Sequence, residues 1–112
     1  EKTHAAAKRR LKFELGIRGV ELHCLLPDFR YRAEKDGIVE NEICPVFVGF
    51  TDKLPRPNPA EVAETRWVGW DEFLAMARDP ESGISPWAIE EAELLNDNVE
   101  FQRLFAAAVS AR

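Results

Sequence analysis

Across residues 3–15 (THAAAKRRLKFEL) the apolar positions Ala7, Leu11 and Leu15 recur every fourth residue, with strong helix formers between them. That period predicts a helix with Thr3 as its cap and Gly16 as its stop. Residues 21–32 (ELHCLLPDFRYR) and 38–51 (IVENEICPVFVGFT) read as extended, and the turn Lys35-Asp36-Gly37 between them predicts an antiparallel hairpin. Pro27 and Pro45 cannot donate to a sheet ladder, so bulges or edge positions are expected there. Residues 53–59 (KLPRPNP) predict a loop, whereas residues 64–70 (ETRWVGW) alternate polar and apolar as a third strand should. A helix is expected from near Trp70, capped by Asp71 and closed by Asp79-Pro80. Ser85-Pro86 opens another, with proline in its first turn, and residues 99–111 predict a last one.

This order implies an α/β class: a mixed sheet with helices on both faces, forming one domain over residues 1–112. Three strands make a thin sheet, and the chain opens on Glu1 with a helical pattern already under way. N-terminal strands are therefore expected to be missing from this chain.

Composition narrows the function classes. With 46% hydrophobic residues in 112, the chain can bury one real core. No apolar run approaches the roughly 20 residues a membrane helix needs, so the expectation is a cytoplasmic protein without a membrane partner. A net charge of −5 argues against general nucleic-acid binding, which rewards clustered Lys and Arg. Cys24 and Cys44 have no CxxC partner and read as buried thiols.

Two constellations could carry chemistry. In Ile38-Val39-Glu40-Asn41-Glu42 the carboxylates stand at i and i+2, on one face of a strand, with Cα atoms about 7 Å apart. Such like charges repel unless a cation lies between them, or unless the face is simply solvated. Arg10 and Glu14 stand one turn apart on one helix face, the spacing of an exposed salt bridge.

The wording of that helix adds to its spacing. A Nudix box ends R-E-U-x-E-E-x-G-U, with U a bulky aliphatic, and this chain keeps Arg9, Leu11, Glu14, Gly16 and Ile17, with Glu1 eight residues before Arg9. Arg10 and Phe13 stand where that box has glutamates, which disfavours ordinary Nudix hydrolysis through a Mg²⁺-ordered water. With Pro27-Asp28-Phe29-Arg30-Tyr31-Arg32-Ala33, then residues 37–47 (GIVENEICPVF) and Ser85-Pro86-Trp87, the chain resembles the C-terminal portion of the type I isopentenyl-diphosphate isomerases of the Nudix superfamily. The segment from Pro27 to Phe47 is the specific part; SPW or ELG alone would be weak.

The resemblance implies interconversion of isopentenyl and dimethylallyl diphosphate in isoprenoid biosynthesis, by adding one proton and removing another. It implies that Glu40 and Glu42 bind a divalent metal (Mn²⁺, Zn²⁺ or Mg²⁺) with histidines absent from this chain, and that Glu42 also handles a substrate proton. Glu14 would hold the Mg²⁺ that accompanies the diphosphate, and Arg10 would face its oxygens. Tyr31 would share the proton-transfer face with Glu42, and Trp87 would cover the cationic carbon. Without the resemblance, Tyr31 reads as a hairpin residue and Trp87 as a core residue. The family's Cys-Gly-His stretch has no counterpart here, and His4 and His23 match none of its ligands. The isolated chain is accordingly expected to be inactive and to associate with itself or with an upstream segment. The alternatives are a Nudix diphosphohydrolase and a Nudix-like binding module without catalysis.

Overall fold

Helix α1 (Lys2–Leu15) forms on the four-residue apolar period, one residue earlier than expected, so Thr3 lies within the helix rather than at its cap. The computed structural model describes residues 2–111, and the side chains of all of these except Lys2, Thr3, Ala33, Lys35 and Glu40. Gly16 ends α1 at φ +66°, with its N–H on the Lys12 carbonyl at 2.9 Å. The next carbonyls of that last turn are taken by the loop. Arg56 N–H reaches Leu15 O at 2.6 Å and Asn58 N–H reaches Glu14 O at 2.8 Å, so groups that a helix end leaves without partners are satisfied.

The two extended stretches each break at their proline. Strand β1 (Leu22–Leu26) is separated from β2 (Arg30–Lys35) by a turn at Pro27-Asp28, and β3 (Ile38–Ile43) from β4 (Val46–Gly49) at Cys44-Pro45. β2 and β3 pair antiparallel, from Arg30 opposite Ile43 to Lys35 opposite Ile38. Asp36 at φ 54° and Gly37 at φ 80° make the two-residue connection, whose positive angles match the twist of the strands. β1 pairs with β4, so the extended segments form two two-stranded sheets in a mixed α/β chain.

The third strand expected at residues 64–70 is not formed: residues 65–69 have no regular structure, and Trp67 is 67% exposed. Alternation makes a segment suitable for a sheet, but a strand also needs a neighbour with unspent N–H and C=O groups. None pairs with it among the described residues.

Tertiary contacts gather the chain into two compact units, Glu1–Cys24 with Phe47–Trp67 and Leu25–Val46 with Val68–Arg112. In the first, the His4 ring ties α1 to β1 through Nε2 and the Leu22 carbonyl at 2.7 Å, and meets Phe47 edge-on at 5.0 Å. Ile17 and Leu22 are buried there.

The second unit holds α2 (Trp70–Arg78), α3 (Pro86–Asn96) and α4 (Val99–Ser110). Gly69, not Asp71, occupies the cap position of α2; Asp71 lies in its first turn, where its carboxylate meets the positive end of the helix dipole. Asp79 terminates the helix and Pro80 follows it. Asn98 caps α4 by accepting the Phe101 N–H at 2.8 Å. Leu74, Ala77 and Ala92 are buried together, with Trp70, Phe73 and Ile89 packed against them. Trp70 also meets Phe101 at 4.9 Å, and its indole N–H donates to Asn96 at 3.1 Å, so the polar edge of the half-buried ring is satisfied. A two-pronged Arg78–Glu93 pair, at 2.6 and 2.9 Å, ties α2 to α3.

Candidate active site

Four of the expected site residues, Tyr31, Glu40, Glu42 and Trp87, lie in the second unit. Tyr31 on β2 stands directly opposite Glu42 on β3, and the rings of Tyr31 and Trp87 stack with centroids 5.4 Å apart and planes 30° from parallel. Opposed residues of an antiparallel pair project to the same side with Cβ atoms about 5 Å apart, so one carboxylate, one phenol and one indole share a surface. Each is delivered locally: the hairpin register fixes Tyr31 and Glu42, and Pro86 at the start of α3 sets the backbone just before Trp87. Trp87 is 45% exposed and is therefore not the core residue that its chemistry alone would suggest. Glu42 is exposed. Glu40 occupies the register position opposite Ala33, two residues along β3, and its side chain lies outside the described ones.

The other two expected residues meet in the first unit. Arg10 Nη2 hydrogen-bonds Glu14, one turn along α1, and also Glu61 at 3.2 Å. The guanidinium carbon lies 5.5 Å from the centre of the Phe13 ring, a third hold on the same group. Hydrogen bonds that the guanidinium donates to Glu14 first, then to Glu61, raise the Arg10 pKa above its ordinary value. These are solvent-facing ion pairs, so they orient the side chain more than they stabilise the fold.

Glu61 is a residue that the sequence reading missed. Residues 56–62 bring it to α1: Asn58 donates from Nδ2 to Phe13 O at 3.3 Å and accepts the Ala60 N–H at 3.0 Å. The Glu61 and Val62 N–H groups then close on the Asn58 carbonyl at 2.9 and 2.8 Å. The Asn-Pro pair at 58–59 signals a turn, but no local pattern says that it delivers a carboxylate to a helix 51 residues upstream. Arg10 further lines an open depression with Arg9, Lys12, Phe13, Gly16, Arg18 and Arg56. Basic side chains dominate that lining, although the chain as a whole carries −5.

Both carboxylate settings supply hard oxygen donors of the kind Mg²⁺ takes one or two of while keeping several waters. Among the described residues no group of three or more His, Cys, Asp or Glu converges into a complete cage. His4 is engaged by the Leu22 carbonyl and Phe47, and Cys24 and Cys44 are free thiols, half-buried rather than buried. No helix among the described residues is long and apolar enough to cross a membrane.

Several known proteins are similar to this chain. The isopentenyl-diphosphate Delta-isomerase of Frankia alni is 46% identical over 87 residues, covering 77% of this chain and 45% of that protein. The protein of the same name from Mycolicibacterium vanbaalenii is 49% identical over 94 residues, covering 81% and 50%. The one from Saccharopolyspora erythraea is 50% identical over 92 residues, covering 80% and 47%. The chain thus spans about half the length of the curated relatives it matches. The model of the NUDIX domain matches residues 1–88, which take in α1, the hairpin and the loop that carries Glu61, and on that match the chain belongs to the Nudix family.

Proposed function

We propose that this chain carries part of the active site of an isopentenyl-diphosphate isomerase. The observation that carries the reading is the single surface of Tyr31, Glu42 and Trp87, in a chain whose relatives bear that name. The substrate would be an isoprenoid diphosphate: isopentenyl diphosphate gains a proton at its terminal carbon and loses one from the methylene beside the new cation, giving dimethylallyl diphosphate. No atom is added or removed in the balance. A tertiary carbocation between the two steps demands an acid and a base at fixed places and a site closed to water.

On this reading Glu42 takes and returns a substrate proton, with Tyr31 beside it to hydrogen-bond the carboxylate. Trp87, braced by the Tyr31 ring, offers its π face to the developing cation, an interaction worth about 2 kcal/mol when desolvated. Arg10 faces the diphosphate oxygens, and its planar fork suits them better than a point charge would. Glu14 would hold Mg²⁺ with the diphosphate, and Glu40 with Glu42 would hold a second divalent ion, Mn²⁺, Zn²⁺ or Mg²⁺. When bound, such ions supply charge neutralisation for the diphosphate and a fixed orientation for the carboxylates.

The test is conversion of isopentenyl to dimethylallyl diphosphate by the intact gene product with Mg²⁺ supplied. Turnover without phosphate release is expected. An inactive protein of confirmed mass overturns the reading, and released phosphate with no isomer formed would point to a diphosphohydrolase instead.

A further inference from the structure

The guanidinium of Arg10 is held by more than the reading above requires. One nitrogen, Nη2, serves both Glu14 and Glu61, and the group also lies by the Phe13 ring. A guanidinium has five N–H donors, so the Nε and Nη1 hydrogens remain unspent among the described residues. Glu61 reaches this place because the loop is fastened to the last turn of α1 by the Arg56 N–H and by the backbone N–H and side chain of Asn58.

We propose that Glu61 is a positioning residue for the diphosphate, keeping Arg10 at the site when a divalent cation takes Glu14. This rests on the roles proposed above for Arg10 and Glu14. A cation seated on Glu14 claims the carboxylate that Arg10 now shares and repels the guanidinium beside it. With Glu14 as sole partner, Arg10 would swing into solvent at the moment when the diphosphate arrives with its metal. Glu61 stands outside the metal's own carboxylate, on the loop, and retains one edge of the guanidinium. The other Nη2 hydrogen, freed from Glu14, lies beside an unspent Nε or Nη1 hydrogen, and this remaining edge donates to two phosphate oxygens side by side. Phe13 limits rotation of the group about its last bonds.

The experiment compares the intact gene product with its Glu61→Gln, Glu61→Asp and Arg10→Lys variants and the Glu61→Gln/Arg10→Lys double variant. Inorganic pyrophosphate affinity is measured by calorimetry with Mg²⁺, alongside kcat, KM and Tm. Glu61→Gln should weaken pyrophosphate binding and raise KM about tenfold while kcat changes by less than about threefold, the signature of lost binding common to ground and transition states. Glu61→Asp should recover much of the affinity, because the carboxylate is kept. In the Arg10→Lys background the Glu61→Gln change should have little further effect. Wild-type affinity in Glu61→Gln, or an equal loss with Arg10 already replaced, overturns the proposal. If Glu61→Gln merely unfolds, Asn58→Ala, which loosens the loop from α1, takes its place, and wild-type pyrophosphate affinity and KM in that folded variant overturn the proposal. A wild-type protein that binds pyrophosphate but does not isomerise refutes the isomerase reading alone, and the binding comparison still decides the role of Glu61.

Discussion

Tyr31 and Trp87, 56 residues apart in the sequence, stack with ring centroids 5.4 Å apart, although one stands on a hairpin strand and the other in the first turn of a helix. The contact locks the indole relative to Glu42, since Tyr31 is opposite that carboxylate in the register. Aromatic pairs of this kind contribute about 0.5–1.5 kcal/mol beyond their buried area.

Trp87→Ala removes both the brace and the π face, so turnover of the intact gene product should fall by at least about thirtyfold, in line with a loss of about 2 kcal/mol. Trp87→Phe keeps a ring in the stack and should stay within about tenfold of wild type. Steady-state assays with matched circular dichroism spectra check both. An alanine variant with unchanged turnover would remove Trp87 from the site.

Glu42 and Glu40 are assigned different tasks, and the assignment separates in metal titrations. Glu42→Gln should abolish nearly all turnover at any metal concentration, because a neutral amide cannot take a proton. Glu40→Gln should act chiefly by weakening metal binding, so excess Mg²⁺ or Mn²⁺ should restore much of its rate. A Glu42→Gln enzyme within tenfold of wild type, a barrier change of only about 1.4 kcal/mol, would contradict the proton-transfer role.

Gly16 lies where the last turn of α1 meets the loop that delivers Glu61. Its φ is +66°, and an added Cβ would stand 3.1 Å from Arg56 Cβ and 3.4 Å from Arg56 O. Gly16→Ala therefore combines an unfavourable backbone angle with a tight approach to the loop, and a cost of about 1–3 kcal/mol is expected. Thermal unfolding measures it, and a fall in Tm no larger than that of Gly37→Ala would show that the loop moves aside freely. Gly37→Ala is the control, since Gly37 has a positive φ with nothing within 4 Å of the added carbon.

What could be read in the sequence was what local chemistry determines. Asp36-Gly37 announces its own turn, Pro27 and Pro45 interrupt the extended stretches, and Pro86 opens α3. Tyr31, Glu42 and Trp87 were nameable because their motifs are specific, yet the stack and the register that join two of them to the third are tertiary facts. Two failures share one cause. The alternation around Trp67 describes a side-chain pattern but cannot supply a partner strand, and Glu61 has no periodic signature that predicts a contact with Arg10. The α2 cap was misplaced by a smaller margin: Asp71 is a good capping residue, but Trp70 and its aromatic neighbours start the helix one residue before it.

Neighbouring carboxylates on α3 should affect stability in opposite directions as pH changes. Burial raises the Glu91 pKa above the ordinary glutamate range, whereas the hydrogen bonds from Arg78 lower that of Glu93 below it. For Glu91 the folded state disfavours the charged form, so its cost is absent below about pH 4 and grows as pH rises through the folded-state pKa. For Glu93 the folded state favours the charged form, so its contribution is present above the unfolded pKa and is lost as pH falls through the folded one. Glu91→Gln should therefore raise Tm at pH 7 and leave it nearly unchanged at pH 3. Glu93→Gln should lower Tm at pH 7, by an amount that shrinks towards pH 3. The Glu93 effect should also fade in high salt, because both partners of that ion pair face solvent. Differential scanning calorimetry of both variants at pH 3, 5 and 7 reads the signs directly. A Glu91→Gln chain less stable than wild type at pH 7 would mean that the ionised carboxylate has a favourable partner outweighing its desolvation.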